Sequence, residues 1–436
     1  MLKPHIVILG AGFGGVYTAK KLLKYVKKGR IDVTIVNRTN YFLFTPLLHE
    51  VATGSLSPIS VAEPLREIFS GTGIRIVQGT VESINSEKKT VKLKGYSHEC
   101  SLSYDYLVIA TGAETNYYDI PGAEKFSYPL KDLLDATRIR SRIIDSFEQA
   151  VLTKDPTERA RLLTFVVIGG GATGVEVVSE LTEFINEMVK RYYSATKDCE
   201  IGDQMSCRPE EFSVNLVHAG PEVLQTFSPT LRKSAEKRLR DRGVVINLNT
   251  IVTEVTSQGL KFSNSTSIST NTIIWNAGVK SVIPHFESGT PALVSGRLIV
   301  DKYFHLGNDQ KIFAFGDVAG YVDQESLKDN PTNIKIFPML AQVATKQADI
   351  ISKNLIASIR DKPLGDFKYH SKGSLVSVGK RFAIGEIFSF HIFGTLTWYL
   401  WRIVYLFKFA SRKKRIRIAF EWALGLVYPR DITKLT

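Results

Sequence analysis

Two segments of the chain carry the same glycine device. At residues 6–19, IVILGAGFGGVYTA, an apolar β-branched run ends in Gly10, Gly12 and Gly15; at residues 166–176, VVIGGGATGVE, a second run ends in Gly169, Gly171 and Gly174. In both, G-x-G-x-x-G lies between a strand pattern and a helix-forming segment. The first glycine allows the tight turn, the second lets a pyrophosphate approach the backbone, and the third lets helix and strand pack closely. The helix N-terminus then offers free N–H groups and a positive dipole end to phosphates. A lone copy also occurs in turns that hold no ligand. Two copies in one context constrain the chain to two similar α/β domains, each shaped for a dinucleotide.

At 436 residues the chain exceeds what one hydrophobic core organises, so two or three domains are expected. With 44% hydrophobic and 23% charged residues it should fold throughout. The first strand begins at about His5, which leaves no room for a secretory leader. Cys100, Cys199 and Cys207 are too few and too far apart for a disulfide scaffold. Both features point to a reducing cytosol. No H-E-x-x-H or C-x-x-C spacing supports a metal site. The net charge of +13 is concentrated at the end, where residues 395–436 hold nine Lys or Arg against Glu421 and Asp431. That cluster lies between apolar helical faces rather than in a nucleic-acid-binding module, so no nucleic acid is expected as a partner.

Along the chain, IDVTIVN (31–37) reads as a second parallel strand, and IRIVQGTVESI and TVKLKGY as antiparallel strands. YDYLVIATGAE (104–114) is a buried strand ending in Ala-Thr-Gly, followed by the helical LKDLLDATRIRSRIIDSFEQA. A long helix over about 175–193 follows the second glycine motif, and SVNLVHAG (213–220) and TIIWNAGV (272–279) are strands of the second nucleotide domain. KIFAFGDVAG (311–320) is one more buried strand, ending in Gly-Asp before a helix that opens with AQVATKQ. The second glycine domain is thus inserted within the first, and the Gly-Asp strand returns to the first.

This layout resembles the two-dinucleotide-binding-domain flavoproteins and, within them, the type II NADH dehydrogenases, single-subunit NADH:quinone oxidoreductases. The resemblance covers essentially the whole chain and rests on ILGAGFGG, NYFLFTPLLHEVATG, YLVIATG, VIGGGATGVE, IWNAGV, FAFGDVA, AQVATKQ, KGSLVSVGKRFAIGEI and the C-terminal tail. The glycine motifs, Ala-Thr-Gly and Gly-Asp are shared by many flavoprotein reductases; TPLLHEVATG, AQVATKQ and the tail narrow the field. The resemblance implies an α/β fold of two Rossmann-like domains plus a C-terminal amphipathic helical membrane-binding region. It assigns residues 1–114 and 286–380 to FAD, 115–285 to NAD(P)H, and 381–436 to a membrane interface.

On that basis Asp317 hydrogen-bonds the ribityl or pyrophosphate part of FAD, or caps the next helix as Asp commonly does. Thr111 and Gly112 lie near the same cofactor, or form an ordinary strand-end turn. Asn37 stands where an acidic residue usually takes both ribose hydroxyls. His218 holds the equivalent place in the second domain: neutral, it can accept from the ribose 2′-OH of NADH; protonated, it would tolerate the extra phosphate of NADPH. Glu176, in the first turn of the second motif's helix, is assigned near nicotinamide and flavin for positioning or proton handling, against a plain role as a partner for the helix dipole. The flavin carries the chemistry, taking hydride from NADH and passing two electrons to the acceptor. With no cysteine before Cys100 or after Cys207, a cysteine-pair relay is not expected.

Gln342 and Lys346 share a helical face and match a motif bordering the quinone site, although the family usually has Gln where this chain has Lys346. In the tail, Leu396, Leu400, Ile403 and Phe407 follow helical spacing, as do Ile416, Phe420, Ala423 and Val427, with Arg412, Lys413, Lys414, Arg415 and Arg417 between them. Arg402 and Lys408 interrupt the apolar run, so no span is expected. Trp398, Trp401, Trp422 and the cations instead suit a membrane interface with anionic lipid, the alternative being a helical homodimer interface. The reading is a peripheral enzyme on the cytoplasmic face of a membrane, oxidising NADH with FAD and reducing quinone in a respiratory chain without pumping protons. A soluble NAD(P)H diaphorase, a reductase of another redox partner and a nucleotide-sensing flavoprotein are the rivals.

Overall fold

The structure is a computed structural model that describes residues 3–95, 99–193, 207–321, 336–371, 373–388, 390–409 and 411–434. Cys199 lies outside them. Strand β1 (His5–Leu9) turns at Gly10 into helix α1 (Phe13–Val26), and β2 (Asp32–Asn37) follows. A one-turn helix α2 (Leu48–Ala52) precedes β3 (Arg75–Gln78) and β4 (Tyr106–Ile109). Helix α3 (Leu133–Leu152) starts at a reciprocal cap in which Asp132 and Asp135 each accept the other's backbone N–H. The second glycine unit runs from β5 (Thr164–Ile168) into α4 (Ala172–Met188), then β6 (Ser213–Val217), β7 (Val244–Asn247) and β8 (Thr272–Trp275). β9 (Asp309–Ala314), α5 (Ala341–Ile359), α6 (Thr395–Phe407) and α7 (Arg412–Leu424) complete the principal elements.

These elements group into two compact units. The first contains residues 1–43, 63–114 and 279–370; the second contains 44–62, 115–278 and 371–436. Residues 44–62, which include α2, therefore group with the second unit, and the later divisions fall at 278 and 370 rather than at 285 and 380.

In the first unit, β3, β2, β1, β4 and β9 lie side by side and parallel, and short strands continue the sheet beyond β9. In the second, β7, β6, β5 and β8 are likewise parallel, with Tyr128–Pro129 at the far edge. Each sheet centres on its glycine-bearing strand, whose flanking strands continue in opposite directions of sequence order. That is the switch point at which doubly wound sheets leave a crevice beyond the strand ends. The central strands are buried along both faces, as parallel strands covered by helices must be.

Apolar alternation in IRIVQGTVESI does not mark an antiparallel pair throughout. Arg75–Gln78 joins the parallel sheet beside β2, and only Thr80–Asn85 pairs antiparallel with Thr90–Lys94. Gly79, whose N–H donates to the Asn37 carbonyl, separates the two pieces. A period of two reports pleating, not strand direction.

Candidate functional site

The two glycine turns satisfy one steric test in the same way. A Cβ on Gly10 would overlap the Ala110 carbonyl, and one on Gly15 would overlap the Gly10 carbonyl, whereas one on Gly12 meets nothing within 4 Å. In the second unit Gly169 is blocked by the Asn276 carbonyl and Gly174 by that of Gly169, while Gly171 again faces open space. Packing thus requires the outer glycines; the middle one is left bare beside the helix N-terminus. Gly12 and Gly171 are also the N-caps of α1 and α4, without side chains to satisfy the first N–H groups. Both turns fit a dinucleotide pyrophosphate.

Asn37 and His218 end their strands in matching roles. The Ala11 N–H donates to Asn37 Oδ1 at 2.9 Å, and the Asn37 amide donates to the Thr39 carbonyl and hydroxyl at 3.0 Å. In the second unit the Gly170 N–H donates to His218 Nδ1 at 3.1 Å. Because a backbone N–H can only donate, Nδ1 is the accepting nitrogen and the proton of neutral His218 sits on Nε2. Burial lowers the pKa of the imidazole. Its outward nitrogen is therefore a donor, which corrects the expectation that neutral His218 accepts from a ribose hydroxyl.

Thr111 donates its hydroxyl to the Val282 carbonyl at 2.6 Å, and Gly112, at φ +73°, returns an acceptor to the Val282 N–H at 3.0 Å. Asp317 lies in a 3₁₀ turn, Gly316–Val318, that leads into a short strand, so the helix-cap alternative does not apply there. The turn is held by Gln347, a buried residue of α5 whose Oε1 accepts from the Gly316 N–H at 2.9 Å. Gln342 is half-buried and Lys346 exposed on the same helix, whose Val343, Ala344 and Ala348 face the core. Gln347 was not singled out in the sequence, although its spacing from Val343 and Ala344 places it on the inner face.

Glu176 enters a larger constellation within the second unit. The residue is 6% exposed and its carboxylate accepts the Ser377 N–H at 3.3 Å. His49 Nδ1 stands 3.8 Å from its carboxylate, beyond hydrogen-bond range, and His49 Nε2 is buried with no hydrogen-bond partner among the described residues. Trp401 lies beside His49, with ring centroids 6.1 Å apart. Glu50 is buried next to His49 on α2, and the Trp422 indole N–H donates to it at 2.6 Å. Arg402 stacks over Trp398 at 3.8 Å and Trp422 at 4.8 Å. One turn along α4 from Glu176, Glu180 pairs with Arg430 at 2.6 Å, and the same guanidinium reaches Glu183 at 3.4 Å.

Burial, reinforced by the charges of Glu50 and Glu180 and opposed by the Ser377 N–H, holds the Glu176 carboxyl well above the usual carboxylate range. Burial also pushes Glu50 up to about 7, against the pull of Arg402 and Trp422. It pushes His49 down to about 4, with the Arg430 charge in the same direction and Glu180 opposing. Burial thus favours the protonated form of Glu176 and the uncharged form of His49, and their 3.8 Å approach is not that of an ion pair. Apart from Glu176, the sequence signals here were the helical spacing of Glu176, Glu180, Glu183 and Glu187 on one face and the His49-Glu50 pair inside TPLLHEVATG.

The tryptophans expected at a membrane are part of this interior. Trp398, Trp401 and Trp422 are 1%, 0% and 6% exposed. Other tail residues face outward, among them Leu396, Ile403, Phe407, Ile416 and Phe420, and the exposed apolar surface extends back to Phe388, Phe390 and Phe393. The basic cluster is partly engaged: Lys414 donates to the Ile59 carbonyl, Arg415 to those of Phe407 and Phe409, and Arg417 pairs with Glu421.

Residues 4–348 match the pyridine nucleotide-disulphide oxidoreductase family, and residues 371–431 match the NDH2 C-terminal domain. A probable NADH dehydrogenase of Dictyostelium discoideum is 32% identical over 434 residues, covering 98% of this chain and 90% of that protein. A type II NADH:quinone oxidoreductase of Mycobacterium tuberculosis is 29% identical over 438 residues, covering 97% and 87%. The structure of NDH2 from Plasmodium falciparum in complex with NADH superposes with a TM-score of 0.87 at 24% identity, covering 99% of this chain and all of the other.

Proposed function

From a chain that belongs to the pyridine nucleotide-disulphide oxidoreductases, in the branch of the type II NADH dehydrogenases, we infer an NADH:quinone oxidoreductase whose two glycine cradles hold FAD and NADH. The observation that carries this reading is the recurrence, in two sheets of one topology, of a turn whose outer glycines are sterically required and whose middle glycine is open. FAD, when bound, supplies the two-electron chemistry between NADH and quinone.

Gly10, Gly12 and Gly15 take the FAD pyrophosphate, with Asn37, Thr111, Gly112 and Asp317 around the remainder. Gly169, Gly171 and Gly174 take that of NADH, and His218 donates Nε2–H toward its ribose. Because that imidazole is neutral, it offers a 2′-phosphate neither the repulsion of a carboxylate nor the attraction of a cation, and NADPH is a slower alternative substrate. Glu176, whose protonated form burial favours, serves as a proton donor or positioning group for the reduced acceptor. Gln342 and Lys346 offer an amide and an ammonium as donors to quinone carbonyls.

The acceptor dissolves in lipid, and the outward apolar side chains from Phe388 to Phe420, with the exposed cations Arg412, Lys413 and Arg417, form the surface that reaches it. No helix among the described residues is long and apolar enough to cross a membrane. The test is an anaerobic absorbance titration of the purified protein with NADH, followed by a short-chain quinone. A flavin band should bleach and then return rapidly. Bleaching without return would sink the quinone assignment, and no flavin band at all would sink the whole reading.

A further inference from the structure

The quinone reading is the premise here, and it leaves one proton unaccounted for. NADH, one proton and quinone give NAD⁺ and quinol, so each turnover draws one proton from water. Glu176 is almost completely enclosed and cannot take that proton from bulk solvent directly. Within the second unit a cavity of about 710 Å³ is lined by Glu180, Arg430, Arg402, Trp398, Trp422 and Glu421, among others. Two of these wall residues are also the immediate neighbours of Glu50: Trp422 donates to its Oε2 at 2.6 Å, and the Arg402 charge acts on it. Glu50 also lies near enough to Glu176 for its charge to act on that carboxyl, and His49 Nδ1 stands 3.8 Å from Glu176.

We propose that Glu50 is the proton-loading group of this enzyme, passing the proton consumed in quinol formation from the cavity behind Trp422 and Arg402 to the Glu176–His49 pair. A group with this task must be able both to hold and to release a proton near neutral pH. Every element packed around Glu50 contributes a titratable or charged group: Arg402 from α6, Glu180 and Glu176 from α4, Arg430 from the C-terminal segment and His49 from α2 itself. Burial and Glu180 favour the protonated form; Arg402, Arg430 and the Trp422 N–H favour the anion. The balance of these opposed effects leaves its affinity close to neutrality, at about 7, where loading and release are both rapid. His49, its pKa lowered by burial and its Nε2 without a hydrogen-bond partner among the described residues, stands beside Glu176 and can take and return a proton there without becoming a lasting cation. Glu50 in this role is a relay rather than a group that touches substrate.

Glu50→Gln keeps size and polarity and removes only the titration. With the flavin-loaded enzyme in detergent, the two half-reactions separate the possibilities. Bleaching by NADH should keep the wild-type rate, while reoxidation by a short-chain quinone should slow by roughly 10- to 100-fold, below the range of about 100- to 10,000-fold for direct acid–base catalysis because water can bypass a relay. Wild-type reoxidation should fall as pH rises through neutrality, when Glu50 loses its proton; that limb should disappear in Glu50→Gln and return in Glu50→Asp. Trp422→Phe guards against a folding defect in the Gln variant: it removes a donor to the carboxylate, so the limb should move to higher pH. Wild-type-like reoxidation and pH dependence in Glu50→Gln, or an unmoved limb in Trp422→Phe, would overturn the proposal. A wild-type enzyme that quinone does not reoxidise would remove the parent reading and this one together, an outcome distinct from failure of the variants alone.

Discussion

Substituting Ala at Gly171 and at Gly174 should separate nucleotide recognition from packing within three residues. Gly171 has φ −76° and ψ −177°, which any residue adopts, and its Cβ direction is empty within 4 Å. Ala there costs an N-cap preference of about 1 kcal/mol or less in the free protein. It also places a methyl group where the pyrophosphate must approach. A phosphate oxygen seated against the backbone would have to retreat by about 1 Å, weakening several N–H contacts, each about 1.5–3 kcal/mol when charge-assisted. Loss of one such contact corresponds to a roughly 10- to 100-fold weaker affinity for NADH. Gly174→Ala is the opposite case. Its Cβ would come closer than 3.0 Å to the Gly169 carbonyl oxygen, a distance real side chains do not show, and that oxygen belongs to the strand-to-helix turn itself. The helix must move off the strand, with an overpacking cost of about 1–3 kcal/mol or more. Urea unfolding and anaerobic NADH titration on the two flavin-loaded variants decide the matter. If Gly171→Ala binds NADH like wild type, the cradle is not the nucleotide site; if Gly174→Ala is as stable as wild type, the packing argument is wrong.

Three further outcomes are expected from other parts of the second unit. Arg430→Ala leaves Glu180 buried without its cation and Glu183 with Arg242 alone, 3.3 Å away, and should destabilise by about 3–5 kcal/mol in urea unfolding at pH 8. The folded-state pKa of Glu183 is raised, chiefly by burial, so its protonated form is the one the fold favours, and the deficit should shrink as pH falls through its elevated pKa; a deficit that grows in acid would refute the network. His218→Glu puts an anion at the end of β6, and kcat/KM for NADPH should drop by about tenfold relative to NADH, on the order of 1.4 kcal/mol of repulsion; unchanged selectivity would remove His218 from the ribose site. Leu396, Phe407 and Phe420 are 85%, 67% and 62% exposed, so changing all three to Asp should abolish sedimentation with anionic vesicles. The melting temperature should change little, because each exposed substitution alters stability by only about 0.5 kcal/mol.

The fold was largely legible because periodicity and glycine spacing are local signals. β5, α4, β6 and β8 lie where apolar runs and turn residues place them, and α5 spans the whole of AQVATKQADIISKNLIASI. What escaped is non-local. Nothing in Arg75–Gln78 says that it pairs with β2 rather than with the next strand, because pairing direction is a property of two segments. Nothing in α2 says that His49 and Glu50 will lie against Glu176, 126 residues on from Glu50, or Trp422, 372 residues on. The hydrogen bond from Gly170 that fixes the His218 tautomer depends on a turn 48 residues earlier. Helical spacing puts Glu176, Glu180, Glu183 and Glu187 on one face, but nothing local shows that Arg430, at the other end of the chain, pairs with Glu180, Glu183 and Glu187.

The tryptophans show why composition misled in the tail. Trp, Arg and Lys interleaved with Leu and Ile describe a membrane-interface helix, and they describe equally well a helix that buries aromatic residues on one side and exposes aliphatic ones on the other. α6 and α7 do both. Trp398, Trp401, Ile418 and Trp422 turn inward, where Trp422 donates to Glu50 and Arg402 lies over the rings of Trp398 and Trp422; Leu396, Phe407, Ile416 and Phe420 turn outward. Deleting residues 395–436 therefore cannot serve as a clean test of membrane binding, because it would also strip the buried carboxyls of Trp422, Arg402 and Arg430. A truncated protein that lost quinone reduction would say nothing about whether lipid or proton supply had failed. Only substitutions confined to the outward face leave the interior intact, and only Glu50→Gln disables the interior while leaving that face unchanged. Because one pair of helices carries both faces, each set of variants has to be read in both assays: outward substitutions should alter vesicle sedimentation alone, and Glu50→Gln should alter quinone-driven reoxidation alone.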